Sequence, residues 1–128
     1  MQYEYFYGAQ AEQFSFYRIP KALFTEPNFR ELSTDAKVLY GILLDRMSLS
    51  LKNQWLDAQN KVYIIFTVEE IMDALNCANQ KATRLMVELE KQVGLIERKR
   101  QGLGRPNLIY VKNFAETIND KSCEKGDS

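Results

Sequence analysis

The hydrophobic positions of this 128-residue chain alternate at its start, recur with helical spacing in its middle and alternate again further on. Two aromatic stretches lie near the start, YEYFY at 3–7 and FSFYRI at 14–19, with a polar run between them. Alternation is typical of strands, so residues 1–19 are predicted to form an aromatic β-hairpin arm. Pro20 then opens a short turn or helix.

The middle of the chain carries a helical pattern followed by a strand pattern. Apolar residues recur every three or four positions up to about Leu51, which predicts an amphipathic helix with Ser33 as its N-cap. The run VYIIF at 62–66 is β-branched and aromatic, so it predicts a strand.

Two helices are predicted close together after that strand. TVEE at 67–70 is a capping box that starts the first helix, and Asn76 is suited to the left-handed conformation that ends it. The second helix is predicted at 78–92. Its predicted apolar face consists of Ala82, Leu85, Met86 and Leu89. A turn this short between two helices indicates a helix-turn-helix.

Two short strands, LIERKR and NLIYVK, flank the loop QGLGRP. Together with the preceding elements they predict an α+β fold, a winged helix-turn-helix whose wing is this basic hairpin. We expect the aromatic arm at 1–19, the winged helix-turn-helix at 20–114, and a polar tail or linker at 115–128.

Composition argues against an enzyme. The chain has two cysteines and no histidine, so a zinc site or a Cys–His nucleophile has almost no ligands or bases to use. We expect no catalytic residues, no metal and no cofactor. The sequence also contains no apolar run long enough to cross a bilayer and no signal-peptide pattern, which predicts a cytoplasmic protein with no membrane partner.

The formal net charge of +0 is a cancellation between segments. Residues 1–80 hold 7 Lys/Arg against 10 Asp/Glu, residues 81–112 hold 8 against 3, and residues 113–128 hold 2 against 4. The surplus of +5 in 81–112 falls on the second helix and the wing, which suggests an anionic partner there. A solvated charged face is the alternative, and charge alone leaves both open.

Four segments together resemble a known family. FYRIPKALF, STDAKVLYG, KVYIIFT and RQGLGRPN, spread over residues 14–114, are similar to the RepA-type N-terminal domain of plasmid replication initiators from Gram-positive bacteria. The resemblance implies a winged helix that binds repeated double-stranded origin sites (iterons). It also implies a separate C-terminal domain, similar to the primosomal protein DnaD, that recruits host replication proteins and that we expect to be absent from this chain.

In a helix-turn-helix, the N-terminal residues of the second helix reach base edges in the major groove. The predicted base-contacting residues are Asn79, Gln80, Lys81, Thr83 and Arg84. Amides pair well with adenine and cations with guanine, whereas the acidic Glu88 and Glu90 lie further back. The alternative is a merely solvated helix face.

The wing supplies a second set of predicted DNA contacts, mostly to phosphates. These are Arg98, Lys99, Arg100, Gly102, Gly104, Arg105 and Asn107. Arg105, at the tip, is well placed for the minor groove or its phosphates. Thr67 is a weaker candidate, because it would cap its helix whether or not a phosphate binds there.

The aromatic arm is predicted to lie at a homodimer interface, since helix-turn-helix proteins commonly dimerise on repeated sites. Its predicted interface residues are Tyr3, Tyr5, Tyr7, Phe14 and Phe16. A hairpin folded onto its own domain is the alternative. Two other functions remain open from the pattern alone, a transcription repressor and a DnaD-like protein-interaction module.

Overall fold

The computed structural model describes residues 2–8 and 13–115, which form four α-helices and one two-stranded antiparallel sheet. The helices are α1 (Ala22–Thr25), α2 (Thr34–Lys52), α3 (Val68–Leu75) and α4 (Asn79–Val87), and the strands are β1 (Ile96–Lys99) and β2 (Leu108–Val111). A 3₁₀ turn spans Pro27–Phe29, and a π-helix, Glu88–Gln92, continues α4. None of these helices has the length and apolar character to cross a bilayer.

Helix α2 is the central element, and it begins where the sequence predicts. The Ser33 hydroxyl accepts a hydrogen bond from the Ala36 N–H at 3.2 Å, which caps the first turn. The buried face of α2 includes Leu39, Tyr40 and Leu43. The Tyr40 hydroxyl donates to the carbonyl of Lys112 at 2.8 Å, and burial raises the pKa of Tyr40 to about 12. This bond joins α2 to the chain just beyond β2.

The segment that precedes α1 crosses α2 at Gly41. A Cβ atom at this position would lie 2.9 Å from Cγ1 of Ile19 and 3.0 Å from the carbonyl oxygen of Arg18. Glycine therefore permits a backbone approach that any larger residue would obstruct. The root of the aromatic arm is held against the domain by this close contact.

The predicted helix-turn-helix is confirmed. Thr67 and Glu70 form both hydrogen bonds of the capping box, with Glu70 N–H donating to Thr67 Oγ1 at 3.2 Å and Thr67 N–H donating to Glu70 Oε1 at 3.0 Å. Asn76 ends α3 in the left-handed conformation, with φ at 52°. Helix α4 then begins at Asn79, after the N-cap Ala78.

The wing forms the predicted hairpin, with Ile96 opposite Val111 and Lys99 opposite Leu108. The run 62–66 does not form a continuous strand, so that prediction is wrong. Its residues divide between two partners: Val62 pairs with Leu56 across a local turn, and Ile64 pairs with Ile109 of β2. Because each partner pairs with only one residue of the run, two isolated β-bridges form and a continuous strand does not.

The predicted strands of the aromatic arm are also absent from the described residues. Residues 2–8 and 13–19 contain no strand, although the rings of Phe6 and Phe14 meet with centroids 6.0 Å apart. The arm's rings are more than half exposed, so no core supports a sheet there. An isolated two-stranded hairpin is at best marginally stable in water, which is the physical reason for the difference. The predicted tail from 116 onward lies outside the described residues.

Candidate nucleic-acid interface

Helix α4 presents a polar face to solvent. Ala82, Leu85 and Met86 are at most 2% exposed and pack into the core, as their spacing predicts. Asn79, Gln80, Thr83 and Arg84 are exposed. They are followed on the same side by Val87, which is 38% exposed.

Lys81 differs from the other predicted base-contacting residues, because it has a partner inside the domain. Its ammonium lies 2.6 Å from Oδ2 of Asp35 in the first turn of α2. The side chain of Lys81 remains 41% exposed. The structure therefore assigns Lys81 a contact that positions α4 on α2.

A buried carboxylate, that of Glu88, joins the C-terminal end of α4 to the N-cap of α2. Glu88 is 7% exposed and accepts hydrogen bonds from the Ser33 N–H at 2.8 Å and the Ser33 hydroxyl at 2.9 Å. The π-helix begins at this buried residue and ends with a hydrogen bond from the Val93 N–H to the Glu88 carbonyl. Helical spacing alone gave no signal for this residue, because its role depends on a partner 55 positions away.

Glu90, two positions further on, links α4 to the wing. Its carboxylate accepts from the Arg98 backbone N–H at 3.1 Å, from Nε at 2.9 Å and from Nη2 at 2.7 Å. Partial burial would raise the pKa of Glu90, but the hydrogen bonds and charge of Arg98 outweigh it and hold the pKa below its usual range. The guanidinium of Arg98, predicted as a phosphate contact, is occupied by this pair.

The wing tip is a short turn with defined internal bonds. Gly102 and Gly104 have φ angles of +117° and +77°, which side chains rarely adopt. The Arg105 N–H donates to the Gly102 carbonyl at 3.3 Å, and the Gln101 side-chain amide donates to the Pro106 carbonyl at 2.7 Å. The remaining predicted wing residues, Lys99, Arg100, Arg105 and Asn107, are exposed.

The start of α3, the flank of α4 and the wing line one open cleft of about 260 Å³. Its walls include Thr67, Met86, Arg98, Arg105 and Asn107. The capping box uses the N–H groups of Thr67 and Glu70.

Arg105 lines this cleft, and it is one of several exposed cations in 84–105 that lack an acidic partner among the described residues. Within residues 2–8 and 13–115, no carboxylate forms an ion pair with Arg84, Lys91, Lys99, Arg100 or Arg105. Of the three acidic residues in 81–112, Glu88 and Glu90 bind Ser33 and Arg98, and Glu97 lies 3.8 Å from Lys112. The structure thus brings four predicted DNA contacts, Thr67, Arg98, Arg105 and Asn107, to one cleft, whereas the exposed predicted contacts of α4 lie outside its lining.

Two features relevant to other chemistries can be stated for the described part of the chain. It contains no group of three His, Cys, Asp or Glu side chains arranged to hold a metal ion. Cys77 is a half-buried free thiol packed against the core, whereas Cys123 lies outside the described residues.

Comparison with known proteins identifies the family. Residues 15–124 match the model of the family described as "Replication initiator protein A (RepA) N-terminus". The chain belongs to this family. The match confirms the resemblance carried by the four sequence segments, and it extends beyond residue 114 into the polar tail.

Relatives and solved structures agree with this assignment. A relative from Lactobacillus helveticus, named "41 kDa protein", is 31% identical over 103 residues, which make up 80% of this chain and 28% of that protein. The chain therefore spans little more than a quarter of that curated relative.

Two solved structures are similar over nearly the whole chain. One, titled "N-Terminal domain of DNA binding protein", is 36% identical, with a TM-score of 0.73 over 99% of this chain and 98% of the other. The second, titled "Structure of Rep-DNA complex", is 36% identical, with a TM-score of 0.72 over 98% of each chain. At this identity and coverage, the RepA N-terminal domain shares their winged-helix fold.

Proposed function

We propose that this RepA N-terminal domain binds double-stranded DNA at repeated sites in a plasmid origin and is the DNA-binding part of a replication initiator. The observation that carries the proposal is that α4 and the wing both carry exposed amides and cations that form no ion pair with a carboxylate of the described residues, and that Arg105 and Asn107 of the wing line a cleft with the start of α3. A 36% identical neighbour titled as a Rep–DNA complex and a 37% identical neighbour titled "Structure of MDR initiator", with a TM-score of 0.67 over 94% of this chain and 98% of the other, support it.

Helix α4 enters the major groove in this proposal. Its exposed first turns carry Asn79, Gln80 and Arg84, whose side chains match adenine and guanine edges. The contacts of Lys81 with Asp35 and of Glu88 with Ser33 fix both ends of the helix against α2. A reading helix held at both ends loses little conformational freedom on binding, which favours affinity.

The wing and the start of α3 contact the sugar–phosphate backbone. Lys99, Arg100 and Arg105 are available as cations, and Asn107 and Thr67 line the cleft beside them. Contacts of this kind set the position of a protein on the duplex and carry no sequence information themselves. Arg98 contributes indirectly, because its ion pair with Glu90 positions the wing relative to α4.

We further propose that the aromatic arm forms a homodimer contact. Tyr3, Tyr5, Phe14 and Phe16 are 52–83% exposed, and none of these rings belongs to the core of the domain. Exposed apolar clusters of this kind usually mark interaction sites. A dimer places two copies of α4 on two repeats, and a higher assembly on an array of repeats needs a second contact between dimers.

We propose that a separate C-terminal domain recruits host replication proteins, as the family resemblance implies; the curated relative is far longer than the matched segment. The proposed site of action is the cytoplasm, where plasmid DNA is replicated. We assign no catalytic step, metal or cofactor to this domain. Membership of an initiator family favours an origin-binding role over a transcription repressor.

Fluorescence anisotropy with two labelled duplexes tests the proposal, one carrying the origin repeats and one scrambled. We expect tighter binding to the repeats, and log K should fall with log salt by about 0.9 per phosphate contact. Lys52→Ala, at the other end of α2 from Asp35, is a control that should change nothing. Absence of binding to either duplex would contradict the proposal and favour a protein-interaction module.

A further inference from the structure

Leu103 is a fully exposed hydrophobic residue at the tip of the wing. The Leu103 side chain is 105% exposed, which makes it the most exposed large hydrophobic residue of the described chain. It lies between Gly102 and Gly104, and two residues before Arg105. Burial of a leucine side chain stabilises a fold, and in the free domain Leu103 contributes none of this stabilisation.

The conformation of the tip holds Leu103 in that position. No heavy atom lies within 4 Å of a Cβ built on Gly102 or Gly104, so the two glycines serve the backbone conformation rather than a tight space. The bonds from Gln101 to Pro106 and from Arg105 to Gly102 close the turn beneath the leucine. The wing therefore presents one apolar side chain on a turn that is already formed before any partner binds.

We propose that Leu103 enters the minor groove and lies against its floor, where it selects A·T pairs beneath the wing. This inference rests on the proposed DNA binding and adds to it a residue that determines specificity. Apolar side chains at the minor groove are a common device of DNA-binding proteins, and a neighbouring cation such as Arg105 is held there by the phosphates.

The chemistry of the groove floor explains the selection. A·T pairs show only the acceptors adenine N3 and thymine O2 there, whereas G·C pairs add the guanine 2-amino group. An isobutyl side chain fits against the first floor but offers no acceptor to the amino group of the second. A buried donor without a partner is costly, so Leu103 disfavours G·C pairs under the wing.

A base analogue can distinguish sequence selection by Leu103 in the minor groove from sequence selection by α4 in the major groove. Replacing adenine with 2,6-diaminopurine adds a 2-amino group to the minor groove and leaves the major-groove edge that α4 reads unchanged. We measure the dissociation constants of the wild type, Leu103→Ala and Leu103→Met for the origin-repeat duplex with and without the analogue. Leu51→Ala, which truncates an exposed leucine of α2, is the matched control.

The wild type, Leu103→Met and Leu51→Ala should each lose about tenfold in affinity on the analogue duplex, whereas Leu103→Ala should lose less than about twofold. An equal loss in the wild type and Leu103→Ala would overturn the inference and leave the proposed function standing. Failure of the wild type to bind the unmodified repeat duplex would overturn both. Melting temperatures of the variants should match the wild type, since Leu103 has no folding contacts to lose.

Discussion

Within the basic cluster of the wing, Arg98 and Arg105 differ in what surrounds their guanidinium groups. The Arg98 side chain is 26% exposed and makes two side-chain hydrogen bonds to Glu90. Arg105 is exposed at the rim of the cleft and pairs with no carboxylate of the described residues. Sequence alone places both in the same predicted contact set, because their surroundings depend on the tertiary fold. The structure separates an arginine that positions the wing from one that is available to DNA.

Arg105→Ala should weaken binding to origin-repeat and scrambled duplexes by a similar factor, because a phosphate contact carries no sequence information. The slope of log K against log salt should become shallower by about 1. Salt titrations of both duplexes measure this, with Lys52→Ala as the control. Unchanged affinity on both duplexes would exclude a wing contact at this residue.

At the scale of elements, α4 is held between α2 and the wing. Glu88 and Lys81 attach it to the start of α2, and Glu90 attaches its π-helical extension to β1 through Arg98. From Glu88 to Gln92 the helix continues as a π-helix. The orientation of the wing relative to α4 is thus set by one ion pair in addition to the shared core.

Glu90→Gln should lower the free energy of unfolding by about 1 kcal/mol near neutral pH, because it removes the charge that Arg98 pairs with. The pKa of Glu90 is lower in the folded state, so its stabilisation is present above the unfolded value of about 4.3 and is lost as the pH falls through the folded value. The difference between wild type and variant should therefore shrink as the pH falls below about 4.

Urea unfolding at several pH values measures this difference. Glu97→Gln is the matched control, since Glu97 is exposed on β1, next to Arg98, and its carboxylate lies 3.8 Å from the ammonium of Lys112. It should change stability little at any pH. A Glu90→Gln effect that stays constant with pH would contradict the assigned ion pair.

The elements that sequence predicted correctly are those fixed by local signals. The Ser33 cap, the Thr67–Glu70 capping box and the left-handed Asn76 act within a few positions of one another, and each is present in the structure. The second helix reaches Gln92 as predicted, with its last five residues in π-helical form. The strands of the arm and the strand at 62–66 were predicted wrongly. In each case the outcome depends on distant partners, which local alternation and spacing cannot reveal.

At the scale of the whole molecule, the aromatic arm stands out because its rings do not contribute to the core of the domain. Its root crosses α2 at Gly41, but its rings remain exposed. Deleting residues 1–13 should leave the domain folded, because no residue of that segment belongs to the described core. It should lower the mass seen by analytical ultracentrifugation and weaken binding to paired repeats more than to a single repeat.

Trp55→Ala is the control for this experiment, since Trp55 is an exposed aromatic residue outside the arm, stacked on Tyr63. The variant should keep the oligomeric state of the wild type. A truncated protein that stays dimeric with full affinity for paired repeats would place the dimer contact elsewhere.

The central claim is that the exposed face of α4 chooses the DNA sequence. The ratio of the dissociation constants for scrambled and origin-repeat duplexes at one fixed salt concentration tests it most directly. Gln80→Ala and Arg84→Ala should each reduce this ratio, with a loss of about 1–3 kcal/mol on the repeat duplex, while their melting temperatures stay at the wild-type value because both residues are exposed. A ratio that both variants leave at the wild-type value would contradict the claim.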